Sequence, residues 1–251
     1  MFDLPSYVWA LVLLGVVGIP AATAFALNRG GLAAGLRART AATVSAVAAG
    51  VWGLWIAGAY ALAASGSYRE EPGAVNPWIG VVFAAVLAVT LLATRVPVVA
   101  RILADPQTPR RLAWPHALRV AGGVFLVVMA LGKLPAVFAV PAGVGDIAVG
   151  VAAVFVARRG AGRRRSAVWF NILGVVDLAV AVGIGFLAGL GPRPVLDVTP
   201  STDILAGLPL VLIPTTAVPL AIALHIVSLQ RLAVAARREP VAAHRSVAAA
   251  A

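Results

Sequence analysis

The chain has no cysteine and one lysine, Lys133, against nineteen arginines. The first absence excludes disulfides and thiolate metal sites, so cysteine usage carries no redox information. The second leaves the last apolar segment without a lysine for a retinal Schiff base. Acidic residues are scarce as well, nine against twenty basic ones, which gives a formal charge of +11. A surplus of that size spread over one face points to nucleic acid. Here the arginines cluster in alternate loops, as the positive-inside rule describes, so no nucleic-acid partner is expected. The short alternating segments of a transmembrane barrel are absent. No G-x-S-x-G, H-E-x-x-H or Walker A sequence occurs, so an enzyme would need an unfamiliar intramembrane site, a non-enzyme is the favoured reading, and no metal or cofactor is expected.

What is present is apolar. Hydrophobic residues make up 61% of the chain and the mean hydropathy is +0.98. Several windows exceed the roughly 18 uncharged residues that a spanning helix needs. The expected fold is all-α: a polytopic integral membrane protein with seven transmembrane helices, at about 8–27, 41–64, 78–94, 114–132, 134–157, 166–190 and 204–229. Together they form one domain, 1–232, followed by a basic, alanine-rich tail, 233–251, disordered at its end.

The distribution of basic residues orients the bundle. Sixteen of the twenty lie in the first, third and fifth loops and the tail, against three in the second, fourth and sixth loops. This places the N-terminus outside and the C-terminus in the cytoplasm. The loop RRGAGRRR, 158–165, is the strongest marker, and SGSYREEPGAVNP with Glu70 and Glu71 suits the outer face. The AATAFA stretch resembles a signal-peptide cleavage site, but it lacks a basic leader, and cleavage would leave Arg29, Arg37 and Arg39 outside. The first helix is therefore expected to be retained. The arginine bias fits a GC-rich bacterial genome and hence an inner membrane. In the 95–113 connection, VVARILA is expected along the membrane surface, and the connection's four arginines, Arg95, Arg101, Arg110 and Arg111, against anionic lipid headgroups. Membrane lipids are the expected partners, and an oligomer is compatible with the sequence.

Within this frame the fifth and sixth helices each carry one aspartate near the middle, Asp146 and Asp177. Asp146 lies 12 residues before Arg158 and Asp177 lies 12 after Arg165. At the helical rise both sit roughly 18 Å from the same loop, near the midplane of a core about 30 Å thick. Small residues at four-residue spacing flank them, namely Ala142 and Gly150 on one helix and Ala181, Gly185 and Gly189 on the other. Such stripes let backbones approach, so the carboxyls should face protein. A carboxylate at that depth normally marks a functional site, although interhelical hydrogen bonding is the plainer reading.

Arg119 enters the fourth helix eight residues beyond Arg111. It either snorkels to headgroups or pairs with Asp146 or Asp177. His225 is more often an interhelical contact than a ligand, yet it is also a residue that relays protons. With His116 it could ligate a haem, but His116 stands beside Pro115 at the expected interface, so no haem is assigned. Asn171, Thr215, Thr216 and Ser228 are secondary candidates that would add neutral oxygen ligands. Pro209, Pro214 and Pro219 should bend the seventh helix or unwind it locally. The leading expectation is a small-solute, proton or cation pathway through this acidic site, with the proline-rich helix supplying the bending. A structural, sensory or assembly subunit is the alternative, and an enzyme acting on lipid a third.

Overall fold

A computed structural model describes residues 4–69, 77–159, 164–190 and 195–248, and among these the chain is all-helical. The helices are α1 (Ser6–Ala33), α2 (Ala38–Ala64), α3 (Trp78–Ala93), α4 (Pro97–Leu103), α5 (Thr108–His116), α6 (Val124–Ala130), α7 (Ala136–Arg159), α8 (Arg164–Gly185) and α9 (Val218–Ala248). Six stretches are long and apolar enough to cross a membrane: Ser6–Ala33, Ala38–Ala64, Thr108–Ala130, Ala136–Arg158, Arg164–Leu190 and Ile213–Arg237. A seventh results if α3 and α4 count as one, although they are bent by 81°. The bend follows from Pro97 at the start of α4, because a proline disfavours helical geometry in the residue before it, and Val96 is extended (φ −58°, ψ 127°). The acidic pair Glu70 and Glu71, the centre of the arginine-rich loop at 160–163, and Arg193 lie outside the described residues.

α1 is the central element. Val8, Val12, Val16 and Ile19 recur every three to four residues, so they share one face, and all four are buried. Around α1 lie α2, α4, α5, α6 and a helical turn that precedes α9. α2 sits at the rim, seated on α1 where Ala41 meets Gly31 and where the Ser45 hydroxyl donates to the Ala24 carbonyl at 2.7 Å. Its opposite side is bare: Leu54 is 78% exposed, as Leu92 on α3 is 67%. Apolar side chains stand exposed around the whole bundle, more than a soluble monomer tolerates and what a lipid environment would cover.

Proline and glycine shape the stretches that differ from regular helix. The fourth apolar segment begins at Thr108, six residues before the expected start, and it tightens into a 3₁₀ turn at Ala117–Gly123. The last one begins at Ile213 and not near 204, because the Pro209 and Pro214 region breaks into a short 3₁₀ turn (Asp203–Ala206) and turns before a π-helical turn at Ile213–Ala217. Pro219 has no N–H to give to the Thr215 carbonyl four residues earlier. The indole Nε1 of Trp55 donates to that carbonyl instead, at 3.0 Å, and ties α2 to α9. α9 then runs on into the alanine-rich tail as far as Ala248, alanine and arginine being strong helix formers; the end of the tail, where disorder is expected, lies outside the described residues.

Three arginines of the 95–113 connection are engaged within the chain. Arg101 donates to the Ala34 carbonyl at the end of α1 (3.3 Å), Arg110 to the Ala157 carbonyl near the end of α7 (2.6 Å), and Arg111 pairs with Asp105 at 2.7 Å. Cations at helix C-termini are favourable partners for the unpaired carbonyls there.

Candidate functional site

Three elements converge on Arg119: the 3₁₀ turn that carries it, α7 with Asp146, and α8 with Asp177. Arg119 is 3% exposed and does not snorkel outward. Its Nε donates to Asp146 Oδ1 at 2.7 Å, and Nη2 lies 2.7 Å from the same oxygen. Nη2 also donates to Asp177 Oδ2. The remaining nitrogen, Nη1, meets His225 Nε2 at 3.3 Å. A planar guanidinium presents its donors as a rigid fork, so one side chain serves three helices at once.

The bonds beyond Arg119 run in one direction. Asn171 Nδ2 donates to the Ala167 carbonyl of its own helix at 2.7 Å, which leaves its Oδ1 as an acceptor 2.9 Å from His225 Nδ1. That order puts the imidazole proton on Nδ1 and leaves Nε2 to accept from Arg119. Arg119, Asp146, Asp177, His225 and Asn171 are therefore one network. The pair reaches Arg119 from antiparallel neighbours, as the matched spacing from the arginine-rich loop required.

Three glycines make the room. A Cβ on Gly122 would overlap the Asp146 carboxyl, one on Gly145 would overlap that of Asp177, and one on Gly174 would overlap the His225 ring. Gly150 acts on the backbone: a Cβ there would stand 2.8 Å from the Val120 nitrogen and 3.2 Å from the Ala117 carbonyl. α7 thus lies directly against the turn that carries Arg119. Of the stripes marked in the sequence, Ala142–Asp146–Gly150 faces this contact. Gly185 and Gly189 serve packing farther along, against Phe138 and Thr202.

Other expected residues stand apart. The Thr215 hydroxyl bonds back to the Val211 carbonyl at 2.7 Å, and the Thr216 hydroxyl is buried without a partner among the described residues. Ser228 is buried on α9, and no hydrogen bond joins it to the cluster among the described residues. His116 is the correction: it is fully buried among the helices of the Thr108–Ala130 segment and its neighbours, because the helix begins before Pro115 and passes through it. Its ring stacks on His225 with centroids 3.8 Å apart and planes at 17°. Neither of its nitrogens has a partner among the described residues. Two imidazoles face to face do not present nitrogens to one metal, and no cluster of three or more metal-ligating side chains occurs among the described residues.

A cavity of about 40 Å³ adjoins the cluster, lined by Arg119 and Asp146 and otherwise by apolar side chains such as Val12, Val16, Leu178 and Ala221. At about 10–15 Å³ per water it has space for roughly three or four water molecules. Asp177 does not line it.

The model of one protein family, described as Domain of unknown function (DUF8737), matches residues 76–233. Those residues include every member of the cluster. No curated protein and no solved structure matches the chain.

Proposed function

We propose that this chain, which belongs to the DUF8737 family, is a multi-pass membrane protein in which Arg119, Asp146 and Asp177 form a proton-handling site. The observation that carries the reading is that two partly buried carboxyls share one buried guanidinium. Counted as ions they leave one excess negative charge, which one proton balances. A metal cation would need several oxygen ligands. The cavity beside Asp146 offers none besides the carboxylate, and Thr215 bonds elsewhere. The small cavity supplies water for proton exchange, and His225, bonded to Arg119, extends the network to a group that relays protons. The π-helical turn at Ile213–Ala217 lines the cavity and gives the bundle a place to flex, since such turns recur at functional sites.

In this reading the chain crosses the membrane seven times, α3 and α4 counting as one broken span. The arginine-rich ends face the cytoplasm of a bacterial inner membrane, with the N-terminus outside. The exposed arginines that remain there, Arg95 among them, meet anionic headgroups.

The test is proton movement into proteoliposomes under an imposed membrane potential, followed with an entrapped pH dye. Asp146→Asn and Asp177→Asn keep shape and hydrogen bonding but remove the charge. Both variants should lose proton movement while melting near the wild-type temperature.

A second reading, a polar knot that only fixes helix packing, draws on the close fit of Gly122, Gly145 and Gly174 around the cluster. On that reading wild-type liposomes move no protons, the asparagine variants are silent, and leucine variants destabilise by about 1 kcal/mol per lost interhelical bond.

A further inference from the structure

Away from the ionic cluster, the outer sides of α7 and α8 enclose an open groove of about 680 Å³. Arg165 and Ser166, in the first turn of α8, stand at one end of it; Trp169 and Leu173 follow down the same helix, and Phe155 and Ala152 line it from α7. Positions 166, 169 and 173 are three and four residues apart, so they share a helix face. Arg165 and Leu173 are eight residues, or roughly 12 Å, apart along the axis. The groove therefore runs from a cation and a hydroxyl at the start of an apolar helix to purely apolar side chains deeper in. Among the described residues no carboxylate lines it.

We infer that this groove binds one anionic phospholipid, with the phosphate at Arg165 and Ser166 and an acyl chain against Trp169, Leu173 and Phe155. Charge complementarity selects the headgroup: Arg165 is exposed, and nothing negative in the lining competes for it. Geometry selects a lipid over a free anion. A soluble phosphate would leave the aromatic and aliphatic walls unused, and Trp169, Phe155 and Leu173 are each about half exposed. An indole near the headgroup level is also where tryptophan is favoured at a membrane surface. The guanidinium matches phosphate through paired N–H donors, which an ammonium does not.

The inner wall of the groove is Phe170, which stands edge-on to His225 at 5.3 Å and to His116 at 5.7 Å. A bound chain therefore backs the aromatic layer behind the ionic cluster and should stabilise the α7–α8 pair. The inference does not depend on the proton reading.

The test is the melting temperature of the full-length protein in a neutral detergent, with dioleoyl phosphatidylglycerol, dioleoyl phosphatidylcholine or glycerol phosphate added. Phosphatidylglycerol should raise it well above phosphatidylcholine, and glycerol phosphate should leave it unchanged. Arg165→Gln should remove most of the difference between the two lipids. Ala152→Trp, which fills the groove, should weaken the response to both. Equal shifts from the two lipids in the wild type, a full shift from glycerol phosphate, or an Arg165→Gln variant that still prefers phosphatidylglycerol would each overturn the inference. Because Arg165 is exposed, that variant is expected to fold even if Ala152→Trp does not.

Discussion

At the scale of single residues the cluster depends on the shape of one side chain. Arg119 uses Nε and Nη2 for the carboxylates and Nη1 for His225, from a buried position. A lysine would supply the same charge from a single point. Arg119→Lys should therefore leave at least one carboxylate or His225 without its donor and lower stability by about 1–3 kcal/mol, measured by thermal or denaturant melting in detergent. A variant as stable as the wild type would mean that charge alone matters here. The aspartates were legible in the sequence because rise per residue converts a count into a depth: equal spacing from Arg158 and Arg165 fixes equal height whatever the neighbours are. For Arg119 the sequence left two readings open, snorkelling to headgroups or pairing with an aspartate, because a depth of about one turn less allows a long side chain to do either. His116 was not legible, because Pro115 beside it reads as a boundary, whereas the helix starts at Thr108 and passes through the proline.

At the scale of elements, the fit between the 3₁₀ turn, α7, α8 and α9 rests on where glycine stands. Gly122, Gly145 and Gly174 each face a side chain of the cluster, while Gly53 on the rim helix α2 faces open space. The two classes predict opposite signs. Alanine at Gly122, Gly145 or Gly174 should cost about 1–3 kcal/mol by overpacking, although alanine is the better helix former. Gly53→Ala should gain up to about 1 kcal/mol, since only propensity changes. Melting curves of the four variants check this, and a stabilised Gly145→Ala would contradict the packing described. The sequence holds 25 glycines, and nothing in their spacing separates the three that matter from the rest. The prolines were more informative. Pro209, Pro214 and Pro219 announced an irregular last segment, but not that its opening would be a π turn or that Trp55, from a helix at the opposite rim, would take up the carbonyl left by Pro219. That contact spans 160 positions and has no local signal.

At the scale of the whole molecule, the apolar windows and the alternation of arginine made the helical bundle legible, because burial of backbone polar groups in lipid leaves helices as the economical solution for such segments. The number of spans was less legible: α3 and α4 break by 81° where a continuous stretch was expected to end in a surface segment, and the structure alone counts six helices or seven. Topology is decided by reporter fusions. Those after Arg165 and after the tail should read cytoplasmic, and those near Glu70 and Asp197 external; an external signal after Arg165 would invert the proposed orientation. The central claim, that the interior cluster exchanges a proton, is tested most directly by infrared difference spectra of the protein in liposomes across a pH series. The account predicts a protonated-carboxyl band that comes and goes with pH and disappears in Asp146→Asn or in Asp177→Asn. A spectrum with no titrating carboxyl band, or one that both asparagine variants leave unchanged, would contradict it.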